Sequence, residues 1–127
     1  KAKGELRHAP SHIIDVAPTC LSAAGLSGKE MAGKSLLPVF AKDSKSQRTL
    51  YWEHEGNRAV RKGNHKLVAI HDTPWELYDL SKDRSELKDL SSTMPKKAKE
   101  LRTLYEAWAK RVGALPWNEV NVKKKKK

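Results

Sequence analysis

The sequence predicts an α+β chain in which a four-stranded antiparallel sheet packs against a C-terminal helix and follows a short N-terminal helix. Three observations predict it. Two Gly-containing reversals, Glu55-Gly56-Asn57 and Lys62-Gly63-Asn64, divide Leu50–Val68 into short runs rich in aromatic and β-branched residues. Ala98, Leu101, Leu104, Tyr105, Trp108 and Val112 recur at helical spacing between Pro95 and Gly113. A second helical repeat, Val16, Cys20, Ala23 and Ala24, follows Asp15.

The N-terminal helix is expected over 15–25. Asp15 supplies an N-cap, Pro18 falls in the first turn where a missing N–H matters little, and Gly25 stops the helix. Cys20, on the apolar repeat, is expected as a small buried residue. From Ser27 to Ser46 the composition turns to Gly, Lys, Ser and Asp around one apolar knot, Ser35–Phe40, which predicts a surface connection pinned by a short helical or irregular turn.

Strands are expected at Arg48–His54, Arg58–Arg61, Lys66–His71 and Trp75–Tyr78. Alternation along the first places Leu50, Trp52 and His54 on one face and Tyr51, Glu53 and Glu55 on the other. Gly56 and Asn57 are expected to take the positive φ angles of the first reversal. Polar residues thus collect at a strand end beside a turn, where binding groups tend to sit. Asp79–Glu86 is a polar turn, with Asp83, Arg84 and Glu86 as turn and capping residues. The last helix is expected over 95–112, capped by Thr93 or Met94, with its apolar stripe on the sheet and Lys96, Lys97, Lys99, Glu100, Arg102, Glu106 and Lys110 toward water. Three regions follow: 1–46, the helix and connection; 47–117, the sheet and its helix; and 118–127, a disordered Lys-rich tail.

Composition limits the functions available. At 127 residues with 38% hydrophobic content the chain can build one modest core. The formal net charge is +11, but five of those charges are the terminal run Lys123–Lys127, which reads as a solvated end. A small basic module that binds anionic polymers, sulfated polysaccharide or nucleic acid, is the alternative this charge raises. No helix-turn-helix, zinc-finger or base-stacking motif supports specific nucleic-acid binding. One cysteine makes no internal disulfide, and no apolar run approaches the roughly 20 residues of a membrane helix. The first residues lack the apolar core of a secretory signal, so the localisation stays unknown. His8, His12, His54, His65 and His71 are scattered without metal-ligand spacing, and no Gly-rich phosphate loop or serine elbow occurs.

Several blocks in order carry a resemblance: HIIDVAPTCLSAAG, GKSLLPVF, LYWEHEGNRAVRKGNHKLV, WELYDLSKDRSELKDL and LYEAWAKRVGALPW. Together they resemble the C-terminal segment of an arylsulfatase of the formylglycine-dependent sulfatase family, from about His8 to Trp117. The resemblance implies that residues 1–46 are the end of a large α/β catalytic domain and that 47–117 are the smaller C-terminal subdomain placed after it, a four-stranded antiparallel sheet with a packed helix. It also implies a family reaction, the hydrolysis of sulfuric esters by a formylglycine made from Cys or Ser in CxPxR or SxPxR, assisted by calcium. Neither motif is present, and Cys20 is followed by Leu-Ser-Ala-Ala. The resemblance therefore implies a fragment without the formylglycine and calcium site, inactive by itself, with no cofactor of its own, no catalytic residue and no metal ligand. Its implied partners are the missing catalytic domain, in the same or a separate chain, and a sulfated small molecule or carbohydrate.

What such a segment can add is a wall of the substrate pocket. The residues chosen for that role are His54 and Asn57, then Glu53 and Arg58, because a polar cluster at a strand end can hydrogen-bond the organic part of a sulfate ester. A structural reading competes for each: His54 satisfying a backbone group, Asn57 serving the turn, and Arg58 with Arg61 pairing with Glu53, Glu55 or Asp79.

Overall fold

The structure, a computed structural model, describes residues 4–44 and 46–121. The run Lys123–Lys127 lies outside the described residues. The chain divides between Arg48 and Thr49 into two compact units.

In the first unit a single 3-10 turn, Ile13–Asp15, leads into helix α1, Val16–Ala23, and a later short helix α2, Leu37–Ala41, forms at the Leu-Pro-Val-Phe knot. The helix ends as expected, with Gly25 at φ 74° just beyond it. Asp15 does not cap α1 through its side chain. It is fully buried, and its carboxylate accepts from His12 N–H at 2.8 Å, Lys34 N–H at 2.9 Å and Arg48 Nη1 at 2.7 Å. The residue thus ties the turn, the Gly-rich connection and the end of the unit together, which a local reading of the helix start misses.

Cys20 is exposed, contrary to the expectation of a buried thiol. The reason is which side of α1 its unit covers. Pro18 is buried and Leu21 half-buried beside Gly28, so the opposite side, with Val16, Cys20 and Ala23, faces outward.

The second unit is a meander. Strands β1 (Thr49–His54), β2 (Asn57–Lys62), β3 (His65–Ala69) and β4 (Glu76–Asp79) pair antiparallel in sequence order. The register pairs Tyr51 with Val60 and Val60 with Leu67, and Leu67 with Leu77, so one row of apolar side chains crosses the sheet on one face. Helix α3, Pro95–Val112, lies on that face and adds Leu101 and Tyr105 to the core. Val60, Leu67, Leu77 and Leu101 are fully buried, each contributing about 1.5–3 kcal/mol. Tyr51 stacks on Trp108 at 5.0 Å, with rings 2° from parallel. Val112, assigned to the stripe by its spacing, is exposed in the last turn of the helix. Met94 occupies the cap position and Gly113, at φ 71°, ends α3 in the left-handed region. A further turn of helix, α4, covers Trp117–Val120.

The edge strand β4 is short and covered. Leu77 N–H donates to Asp89 Oδ1 at 2.9 Å, and the Leu77 carbonyl accepts from Leu90 N–H at 2.8 Å. Its outward backbone groups are thereby spent, which protects the edge from pairing with another chain.

Candidate functional site

The end of the first hairpin is built by a two-residue turn between paired His54 and Asn57. Both turn residues take positive φ, Glu55 at 53° and Gly56 at 85°, the geometry of a type I′ turn. The left-handed pair is therefore Glu55-Gly56 rather than Gly56-Asn57. Asn57 serves the turn differently: its Nδ2 donates to the His54 carbonyl at 2.9 Å and its Oδ1 accepts from His71 N–H at 3.1 Å. The second hairpin uses Gly63, at φ 59°, as the first of two turn residues.

The four residues chosen from sequence divide between two faces. His54 stands at the tip with its side chain 83% exposed, 3.9 Å from the Glu55 carboxylate. Asn57, its register partner, is also exposed but spent on backbone groups. Glu53 and Arg58, paired with each other across the hairpin, face α3 and enter a cleft.

That cleft has a volume of about 430 Å³. Its floor is Glu53 and Arg58 from the sheet, one wall is Tyr105, Glu106, Ala109 and Lys110 of α3, and the far end is Ala114–Asn118. His71 and Asp72, just past β3, complete it, with His71 Nε2 3.3 Å from an Asp72 carboxylate oxygen. The hairpin turn presses on this rim: a Cβ on Gly56 would lie 2.6 Å from His71 Nδ1 and 3.0 Å from Trp117 Cβ.

Inside the cleft the polar groups are unevenly satisfied. Glu53 Oε1 accepts from Gly56 N–H at 3.0 Å, and Glu106 is held by Arg102 at 2.7 Å. Arg58 lies over the Trp75 ring, 4.8 Å from its centroid, and its buried Nε has no hydrogen-bond partner among the described residues. No described ion pair joins Arg58 or Arg61 to Glu53, Glu55 or Asp79; Arg61 instead donates to the Gly63 carbonyl at 3.0 Å. Burial pushes the Tyr105 phenol up from its ordinary value, and nearby Glu53 adds to this while Arg58 opposes it.

Sequence reasoning named the floor of the cleft but missed its walls. His71, Asp72, Lys110 and Trp117 come from distant stretches, and Tyr105 read only as a core residue. The one available signal was the polar Asp72 and the Trp after Pro116 at the ends of elements. Among the described residues no three His, Cys, Asp or Glu side chains gather as a metal ion would need. The chain has no CxPxR or SxPxR from which formylglycine could form. Among the described residues no helix is long and apolar enough to cross a membrane.

Residues 3–111 match the family described as N-sulphoglucosamine sulphohydrolase, C-terminal. The chain belongs to this sulfatase family. An uncharacterized sulfatase of Schizosaccharomyces pombe is 46% identical over 54 residues, covering 39% of this chain and 10% of that protein. The crystal structure of Ps i-CgsB is similar in fold with a TM-score of 0.66 at 22% identity, over 79% of this chain and 24% of that one. The structure of BT4656 in complex with its substrate D-glucosamine-2-N,6-O-disulfate has a TM-score of 0.55 at 24% identity, over 88% of this chain and 25% of that one. This chain thus spans a tenth of its yeast relative and about a quarter of these two structures. The α+β fold, with its four-stranded meander and C-terminal helix, is the one the sulfatase resemblance implied.

Proposed function

We propose that this segment works as the C-terminal lobe of a sulfatase acting on sulfated carbohydrates, offers its first hairpin to the substrate, and hydrolyses no sulfate ester by itself. The match of residues 3–111 to a family described by sulphoglucosamine hydrolysis carries the reading. The sulfated glucosamine bound by BT4656 supports the choice of a carbohydrate. Exposed His54 is the hairpin group free to meet the organic part of the ester, with Glu53 and Arg58 behind it and Asn57 holding the turn.

Inactivity of the lone segment follows from the chemistry. Cleaving a sulfate ester requires an activated nucleophile, and cations and a metal to offset charge on the sulfuryl oxygens, preorganised in one cleft. Calcium and formylglycine would be supplied by polypeptide outside the matched segment. The exposed apolar residues at the start of α1 and in the turn before it, Ile13, Ile14 and Val16, are the surface that would dock on that catalytic portion.

Sulfate release from D-glucosamine 6-sulfate, measured with the purified chain and calcium, should not rise above buffer. Sustained calcium-dependent release would overturn the inactive-lobe reading. In a sulfatase that contains this segment, His54→Ala should raise KM about ten-fold with kcat little changed, as lost substrate binding does; an unchanged KM would remove His54 from the pocket.

A further inference from the structure

We propose that the chain self-associates through the outer edge of β1, which adds antiparallel to the same strand of a second copy and joins the two sheets. The inference goes beyond the sulfatase reading and does not depend on it. It begins from which backbone groups of β1 are spent. Residues that flank a two-residue turn form a hydrogen-bonded pair, and such pairs then alternate along the hairpin. Here that pair is His54 with Asn57, so Trp52–Ala59 and Leu50–Arg61 are hydrogen-bonded as well. Thr49, Tyr51 and Glu53 therefore turn their N–H and carbonyl groups away from β2.

Among the described residues no other backbone segment takes up those groups. The opposite edge, β4, is short and covered, whereas β1 runs through six residues, Thr49–His54, without Pro, Gly, Lys or a bulge. Those are the devices that blunt an exposed edge, and a strand lacking them is a template for another.

The residues of β1 select a second copy as that other strand. When the strand meets itself antiparallel about Tyr51, Thr49 lies opposite Glu53 of the copy, Tyr51 opposite Tyr51, and Leu50 opposite Trp52. Every outward-facing residue then meets another, and each such pair exchanges two hydrogen bonds. No like charges face each other, an aromatic pair sits at the centre, and Trp52, 37% exposed, gains an apolar neighbour. Centring the pairing on Glu53 would instead set two carboxylates face to face. Helix α3 packs chiefly on β2 and β3, which leaves the β1 edge open. The antiparallel arrangement also sends the two Glu55-Gly56 turns to opposite ends of the joined sheet.

One strand pair is a small contact, below the usual size of a stable interface, so the association is weak and concentration-dependent. Sedimentation velocity of the full chain, over about a hundred-fold range of micromolar concentrations, should show monomer passing to dimer. Amide exchange followed by NMR across the same range locates the contact. The N–H groups of Tyr51 and Glu53 should gain protection with concentration, while those of Leu50 and Trp52 are protected throughout.

Two variants fix the register. Thr49→Lys places a cation opposite Glu53 of the copy and should tighten the dimer about three- to ten-fold; Thr49→Glu places a carboxylate there and should weaken it by a similar factor. Lys62, opposite Thr49 within the chain, is already held by Glu100 at 3.0 Å. The chain carries a net charge of +11, so a general charge effect would run the other way. A chain that stays monomeric across the range, a dimer in which Tyr51 and Glu53 gain no protection, or the reverse order of the two variants would overturn the proposal. A dimer indifferent to both Thr49 variants but lost in Val16→Lys would assign association to the apolar start of α1 and overturn it too.

Discussion

Replacing Gly56 with alanine tests the tight junction between the first hairpin and the rim of the cleft. Two separate penalties apply. Gly56 sits at φ 85°, where an L-residue is disfavoured by about 1–2 kcal/mol. The new Cβ would also lie 2.6 Å from His71 Nδ1, 2.9 Å from its Cγ and 3.0 Å from Trp117 Cβ, so the ring must move. Overpacking of that kind costs about 1–3 kcal/mol, for a total of roughly 2–5 kcal/mol.

Gly113→Ala supplies the control. Its φ is 71°, but nothing lies within 4 Å of the Cβ position, so it carries the backbone penalty alone. Urea unfolding followed by tryptophan fluorescence, with midpoints compared at a shared slope, gives both losses. The excess for Gly56→Ala should be about 1–3 kcal/mol, and each 1 kcal/mol is roughly 4–8 °C in Tm for a unit of this size. Equal losses in the two variants would refute the packing of His71 and Trp117 on the turn.

Two further outcomes follow from the same geometry. Glu55→Asn should stabilise the chain by about 0.5–1 kcal/mol in the urea assay, since exposed Glu55 sits at φ 53° and Asn-Gly is the preferred type I′ pair. Arg48→Ala should cost about 3 kcal/mol, because it leaves the buried Asp15 carboxylate without its guanidinium; faster amide exchange at Lys34 and His12, whose N–H groups donate to Asp15, is the readout. Burial raises the Asp15 pKa, but the Lys34 N–H, Arg48 and the His12 N–H outweigh it and hold the group below its ordinary value. Stability from Asp15 is therefore present above about pH 4 and lost as pH falls through the lowered folded value, and Arg48→Ala should make that acid loss shallower.

The elements were legible because each is written locally. Alternation around Tyr51 and Glu53, two Gly reversals, and the Leu101–Tyr105–Trp108 stripe are short-range patterns, and the strands appear within two residues of their expected bounds. What escaped was set by neighbours far away in sequence. Asp15 looked like a helix cap because its partners, Lys34 and Arg48, lie on other stretches. Cys20 looked buried because helical spacing tells which residues share a face, not whether the unit covers that face. At the candidate site, Glu53 and Arg58 were legible as strand-end polar residues, whereas the grouping with His71, Lys110 and Trp117 required the fold. His54 and Glu53, adjacent in sequence, end on opposite sides of the sheet, a separation the period of two already dictates.

The sequence-order meander has a kinetic corollary. Every strand pairs with its immediate successor, the first two pairings across two-residue turns, so the sheet closes only short loops. Such local topology favours fast folding, whereas α3 and the residues beyond it must return from much farther along the chain. Stopped-flow refolding should therefore be fast for a sheet of four strands.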